Sequence, residues 1–222
     1  GKSQEMTKKM IERMKKELEK IREKTKSVDD MEEADKNQVV SAIDAEILKL
    51  ESLKEKVDQA QTKSDIKAIT QELRSELKIV KKYSKHYLGR LLVHRMGNVI
   101  AKLEIRVQRI EMKITELKTA GIDTSAVEVM VSEAKTNISN ARAKYQEAKD
   151  KYKEVLTASD FEATVKSANV LAREANKYII SAHKALQRVI PTVNKLIEAQ
   201  KKSTTGSTGS GDTVASPDET SQ

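Results

Sequence analysis

The residues best suited to chemistry in this 222-residue chain gather in one run, Leu77–Leu103, LKIVKKYSKHYLGRLLVHRMGNVIAKL. His86 and His94 lie within it, eight residues apart, so two turns of continuous helix would bring both imidazoles to one face. Two histidines without a third ligand make a weak metal site, and they read as ordinary helical residues; His183 stands alone. The chain has no cysteine and no glycine-rich phosphate loop, Cys/His metal spacing or serine elbow. Carboxylates are abundant, but each has a Lys or Arg at helical spacing, as on solvated faces. No motif positions a nucleophile, a base and an oxyanion donor together. The reading is of a protein that is not an enzyme, with no metal and no cofactor.

Charge is the stronger signal. The same run carries Lys78, Lys81, Lys82, Lys85, Arg90, Arg95 and Lys102 and no acid. Removing these from the 42 basic residues leaves the rest of the chain balanced against its 34 acidic ones, so the excess of +8 is local. Three readings follow. The cations can be solvent-facing, paired in part with the acidic run Asp29–Asp35. They can form a surface for an anionic polymer or lipid headgroups, where neighbouring apolar residues add burial to charge attraction. They can also contact nucleic-acid phosphates, with Tyr83 and Tyr87 stacking on bases, although both tyrosines fit an apolar arc and read as core. For the anionic surface the candidate residues are Lys78, Lys81, Lys82, Lys85, Arg90 and Arg95.

The elements that must hold this run are helical. Charged residues make up 34% and aromatics 3%, too few large apolar side chains for a thick core and suited to helices that each bury one stripe. No apolar run approaches the roughly 18 residues of a membrane span. Ile11, Met14, Leu18, Ile21, Thr25 and Val28 set a heptad seam over an N-terminal helix, residues 1–28, expected to be loosely docked. Met6, Met10 and Met14 add a second row that widens the seam. The acidic run after it suits the start of the next helix better than a calcium loop. Further helices are expected over about 30–60, 64–84, 88–120, 125–157 and 159–202, with Ser64 and the pair Ser159/Glu162 as caps.

The break between 84 and 88 rests on a wheel. Ile66, Ile69, Leu73, Leu77, Val80, Tyr83 and Tyr87 share one arc; Leu88, Leu92, Met96, Ile100, Leu103 and their successors share another, well rotated from it. With Gly89 as the weak point, a helix end, turn or strong kink is expected at Ser84–Gly89; one straight helix with partners on two sides is the alternative. Gly121 is placed as a left-handed C-cap, and Pro191 is expected to kink or weaken the last helix. Residues 203–222, rich in Ser, Thr and Gly, read as a disordered tail. The fold class is therefore all-α, long antiparallel helices in a bundle or an elongated coiled-coil rod.

Several pieces carry a resemblance: Ala42–Ile47 leading into Leu50–Asp58, Tyr83 and Tyr87 followed by Leu88, and the hinge Gly121-Ile122-Asp123-Thr124-Ser125. Together they resemble a group of uncharacterised exported helical proteins of candidate-phylum bacteria and some actinobacteria. In that group the tyrosine segment is Tyr-Arg-x-Tyr followed by an apolar stretch and a proline; here Ser84 stands for the arginine and no proline follows. The resemblance implies export and a signal peptide before Gly1, and no activity. The expected function is a non-enzymatic exported structural or interaction protein of the cell envelope. An intracellular nucleic-acid-associated coiled coil is the alternative, and a small helical metal carrier or enzyme the third.

Overall fold

The computed structural model describes residues 1–28 and 31–206, with side chains as far as 204. Five helices make up the fold: α1 (Lys2–Lys26), α2 (Glu33–Gln59), α3 (Lys63–Thr119), α4 (Ser125–Glu154) and α5 (Phe161–Gly206), with no strand among the described residues. The chain is all-α. It divides into two compact units, Gly1–Val99 with Ala141–Asn176, and Ile100–Asn140 with the described part of Lys177–Gln222. Asp29 and Asp30 of the acidic run and positions 207–222 of the expected tail lie outside the described residues, whereas 203–206 continue α5.

In the first unit the heptad seam of α1 is fully used. Ile11, Met14, Leu18 and Ile21 are buried with Ile43, Leu50 and Val57 of α2 and Ile66, Leu73 and Val80 of α3. Each such side chain contributes about 1.5–3 kcal/mol on leaving water. Lys15 meets Glu51 at 2.7 Å, Arg22 meets Asp44 at 2.8 Å and Lys54 meets Glu12 at 2.5 Å, in antiparallel register. The Gln4 amide donates to the Val57 and Ala60 carbonyls at the end of α2. The helix expected to be loosely docked is thus seated along its whole length. Its exposed ion pairs each add little; the apolar stripe holds it.

The break expected at Ser84–Gly89 is absent: α3 runs unbroken for 57 residues. The buried side does change, but not with the whole expected arc: Leu88 and Leu92 are exposed, Gly89 and Val93 are buried in their place, and the arc is followed from Met96 onward. The change occurs within one continuous helix because partners lie on two sides. Ile66, Ile69, Leu73, Val80 and Tyr87 face the α1–α2 core. Half a turn on, Gly89 faces the ring of Tyr152 on α4, and further along Gly97 faces Tyr145. A glycine inside a helix costs roughly 0.5–1 kcal/mol, but here it makes the room in which a fully buried tyrosine ring sits.

Local capping also differs from expectation. α3 is started by Thr62, not Ser64: the Thr62 hydroxyl accepts the Asp65 N–H while the Asp65 carboxylate accepts the Thr62 and Gln61 N–H groups. α5 is started by Asp160, which accepts the Ala163 N–H at 2.9 Å, in place of the Ser159/Glu162 box. Gly121 does take positive φ, 78°. Its N–H bonds to Lys118 O and that of Ile122 to Leu117 O, the Schellman pattern. Helix α5 continues through Pro191 to Gly206.

The second unit has its own core. Ile100, Leu103, Val107, Ile114 and Leu117 of α3, Val127, Val131, Ala134 and Ile138 of α4, and Ala182, Leu186 and Val189 of α5 are buried. Small residues at the seam let backbones approach. Arg188 forks onto Glu133 with bonds of 2.7 and 2.8 Å.

Between α2 and α3, Glu46 is buried beside Glu76. Glu46 Oε2 and Glu76 Oε2 are both buried acceptors without a donor, and a proton on Glu76 supplies one. Burial, then the hydrogen bond to and repulsion from Glu46, push Glu76 up to about 7. A carboxyl raised in the folded state binds its proton there more tightly than in the unfolded chain. Its contribution is therefore present below about 4.5 and lost as pH rises toward 7. Glu76→Gln, which keeps a donor without the charge, is expected to raise stability at pH 8 by on the order of 1 kcal/mol, since partial solvation screens the site. Urea unfolding at pH 5 and pH 8 checks it; equal gains at both pH values would contradict the argument.

Candidate anion-binding face

Lys78, Lys81, Lys82 and Lys85 follow one another at i, i+3, i+4 and i+7, which places all four on one side of α3. Lys78, Lys81 and Lys85 are exposed and Lys82 half-buried, and at the α1 edge Lys81 and Lys85 border Arg13, Met14 and Glu17. Continuing the spacing backward adds Arg74 and Lys67, also exposed. The row Lys67, Arg74, Lys78, Lys81, Lys85 has steps of 7, 4, 3 and 4. Sequence reasoning confined to Leu77–Leu103 missed the first two, although that same helical spacing would have found them.

No acid interrupts the row. Asp65, Glu72 and Glu76 are the only carboxylates in the first forty residues of α3, and all three are on other sides of the helix. Asp65 caps it, Glu72 pairs with Lys56 of α2 at 2.8 Å and Glu76 meets Glu46. None of the six cations has an ion pair among the described residues. The contrast is with the lysines of α1 and α2, where Lys15, Lys54 and Lys56 each meet a carboxylate of an adjoining helix.

Arg90 does not belong to this face. Its guanidinium bonds to Asp35 of α2 at 2.7 Å, with only 11% of the side chain exposed. The pairing holds the Asp35 carboxyl below its ordinary range. For Arg90, the structural reading of the basic run, pairing with the acidic segment, is the one realised. Arg95 is exposed but lies nearly three turns beyond Lys85.

The histidines separate in role. His86 is buried, with Nδ1 2.9 Å from the Tyr152 carbonyl oxygen, which makes Nδ1–H the donor of a neutral ring. Burial foremost pulls its pKa down to about 4. His94 is half-buried and 3.2 Å from the Asn98 amide. Among the described residues no three His, Cys, Asp or Glu side chains cluster as metal ligands. Tyr87 is buried and Tyr83 packs partly against the same core, as the apolar arc predicts; burial raises the pKa of each hydroxyl.

The geometry defines a class, an all-α helical protein with a continuous unpaired cationic face on its longest helix. No family model matches the chain, and comparison with curated proteins and with solved structures likewise finds no match. No helix among the described residues is long and apolar enough to cross a membrane.

Proposed function

We propose that the chain is a non-enzymatic structural or interaction protein of the cell envelope that meets an anionic polymer or lipid surface through the lysine face of α3. The observation that carries this reading is the row Lys67, Arg74, Lys78, Lys81, Lys85, exposed, uninterrupted by any acid of α3 and without ion pairs among the described residues, with Glu17 of α1 the carboxylate bordering Lys81 and Lys85. Each cation near an anionic membrane surface is worth about 1 kcal/mol, falling off within a Debye length. The five of the row acting together therefore give a salt-sensitive attachment. The same charges would attract nucleic-acid phosphates, but Tyr83 and Tyr87 are committed to the core side, so the face offers no ring for base stacking. That favours an envelope surface over a single-stranded nucleic acid.

The test is binding to phosphatidylglycerol-containing vesicles and to a polyphosphate at rising salt. Replacing Lys78, Lys81, Lys82 and Lys85 together by Gln is expected to weaken binding by more than about tenfold at low salt. Undiminished binding by that variant would overturn the proposal. Export is a separate part of the reading, supported by the family resemblance. The reading frame upstream of Gly1 tests it: a basic-then-apolar leader there would support export, and its absence would count against it.

A further inference from the structure

The lysine row does not stop at Lys85; it changes chemistry. The next positions on the same side, at steps of 3 and 4, are Leu88 and Leu92, which are 56% and 42% exposed. Beside them, still within the first unit, a groove of about 620 Å³ opens between α3 and the first turns of α5. Its floor is apolar: Leu92 and Met96 from α3, Phe161, Val165 and Ala172 from α5. Its rim carries three cations, Lys85, Lys166 and Arg173, against the single carboxylate Glu162. None of those cations has an ion pair among the described residues. Asn169, which also lines the groove, accepts a hydrogen bond from the Tyr152 hydroxyl, which ties this wall to α4.

We infer that this groove is a binding site for an anionic amphiphile, the hydrocarbon chain lying on the Leu92–Met96–Phe161–Val165 floor and the acidic head held by Lys85, Lys166 and Arg173. Each half of the site excludes a simpler ligand. A polyanion has no use for an apolar floor, and burying that floor against a neutral apolar ligand leaves three cations unanswered. The volume falls in the range of small-molecule sites, roughly 300–1,000 Å³. An incoming helix, about 10–12 Å across with its side chains, would need a long open trough instead. The inference rests on the proposed function and narrows it: of the two anionic partners considered there, it selects the lipid. Lys85 joins them, as the last residue of the row and the first of the groove.

The experiment is calorimetric titration with dodecyl phosphate kept below its micellar concentration, beside inorganic phosphate and dodecyl maltoside. One equivalent of dodecyl phosphate is expected to bind, and the other two to bind at least about tenfold more weakly. Leu92→Glu at an exposed position, and separately Lys166→Gln with Arg173→Gln on the surface, are each expected to weaken it by about tenfold or more. The triple change Lys78→Gln, Lys81→Gln, Lys82→Gln lies outside the groove and is expected to leave this affinity within about twofold while still weakening vesicle binding. Absence of dodecyl phosphate binding while vesicles still bind through the lysines would overturn this inference alone. Loss of both would overturn the proposed function with it. Equal binding of dodecyl maltoside, or of phosphate, would reduce the groove to an apolar or an anion site and overturn the amphiphile.

Discussion

Gly89→Ala is expected to destabilise the protein by about 3 kcal/mol, although alanine is the better helix former. On an isolated helix the change would stabilise by up to about 1 kcal/mol, so the sign alone is diagnostic. The reason is steric. A Cβ at position 89 would fall inside the ring of Tyr152, against Cδ1, Cε1 and Cγ, and Tyr152 is 1% exposed, with no open side to retreat to. Its backbone carbonyl is also held by His86 and its hydroxyl by Asn169, so both the backbone and the far end of the ring are tied. Urea unfolding followed by far-UV circular dichroism measures the loss. Tyr152→Leu removes the opposing atoms, and the pair Gly89→Ala with Tyr152→Leu is expected to be less destabilised than the sum of the singles by at least about 1 kcal/mol. Gly97→Ala supplies the contrast. There the nearest atom would be the Tyr145 hydroxyl at 3.0 Å, the end of a half-buried side chain that can swing, and a change within about 1 kcal/mol is expected. A Gly89→Ala variant as stable as the parent would remove the account of why α3 carries a glycine in mid-helix.

That same glycine marks the limit of what the sequence could show. Periodicity located the helical stretches, though not the continuity of α3, because each buries a stripe and the stripe is written at 3- and 4-residue steps: Ile11, Met14, Leu18 and Ile21 are all buried as spaced. It also detected that α3 turns a different side to the core after Tyr87. What periodicity does not encode is the number of partners a helix has, so a change of face in one unbroken helix and a corner between two helices leave the same pattern. Gly89 was read as the weak point of the backbone because its use depends on Tyr152, 63 positions away. Arg90 was misjudged for a similar reason. Its membership in a cationic run is local, but its partner Asp35 comes from α2, so only the packed fold shows that this charge is already answered. The relation of Lys78 to Lys85, i to i+7, by contrast lies within one helix, so their common side follows from spacing once the helix is continuous. The groove was invisible, as half its wall comes from α5.

Acid is expected to remove a second large contribution, through His86. The ring is 3% exposed and donates to the Tyr152 carbonyl as a neutral imidazole. Burial foremost, then the nearby Arg90 cation, lower its pKa to about 4, against the opposing pull of its hydrogen bond and of Asp35. A histidine depressed in the folded state takes up its proton more readily when unfolded. The stability it preserves is whole above about 6.5 and drains away as pH falls toward 4. The fall from 6.5 to about 4 corresponds to about 3 kcal/mol. Glu76 works against it in the same window, since protonation there strengthens the α2–α3 contact as pH falls from about 7. The wild-type profile between pH 4.5 and 6.5 is therefore the difference of two opposed slopes and shallower than either. Single variants separate them. His86→Gln keeps a donor for the Tyr152 carbonyl without the titration, and its stability relative to wild type is expected to improve by about 2 kcal/mol or more between pH 7.5 and pH 4.5. Glu76→Gln is expected to expose the histidine slope in full, with stability dropping more steeply over the same interval. Parallel urea-unfolding profiles for wild type and His86→Gln would mean that His86 is reached by solvent in the native state, and the Tyr152 anchor invoked for Gly89 would lose its second support.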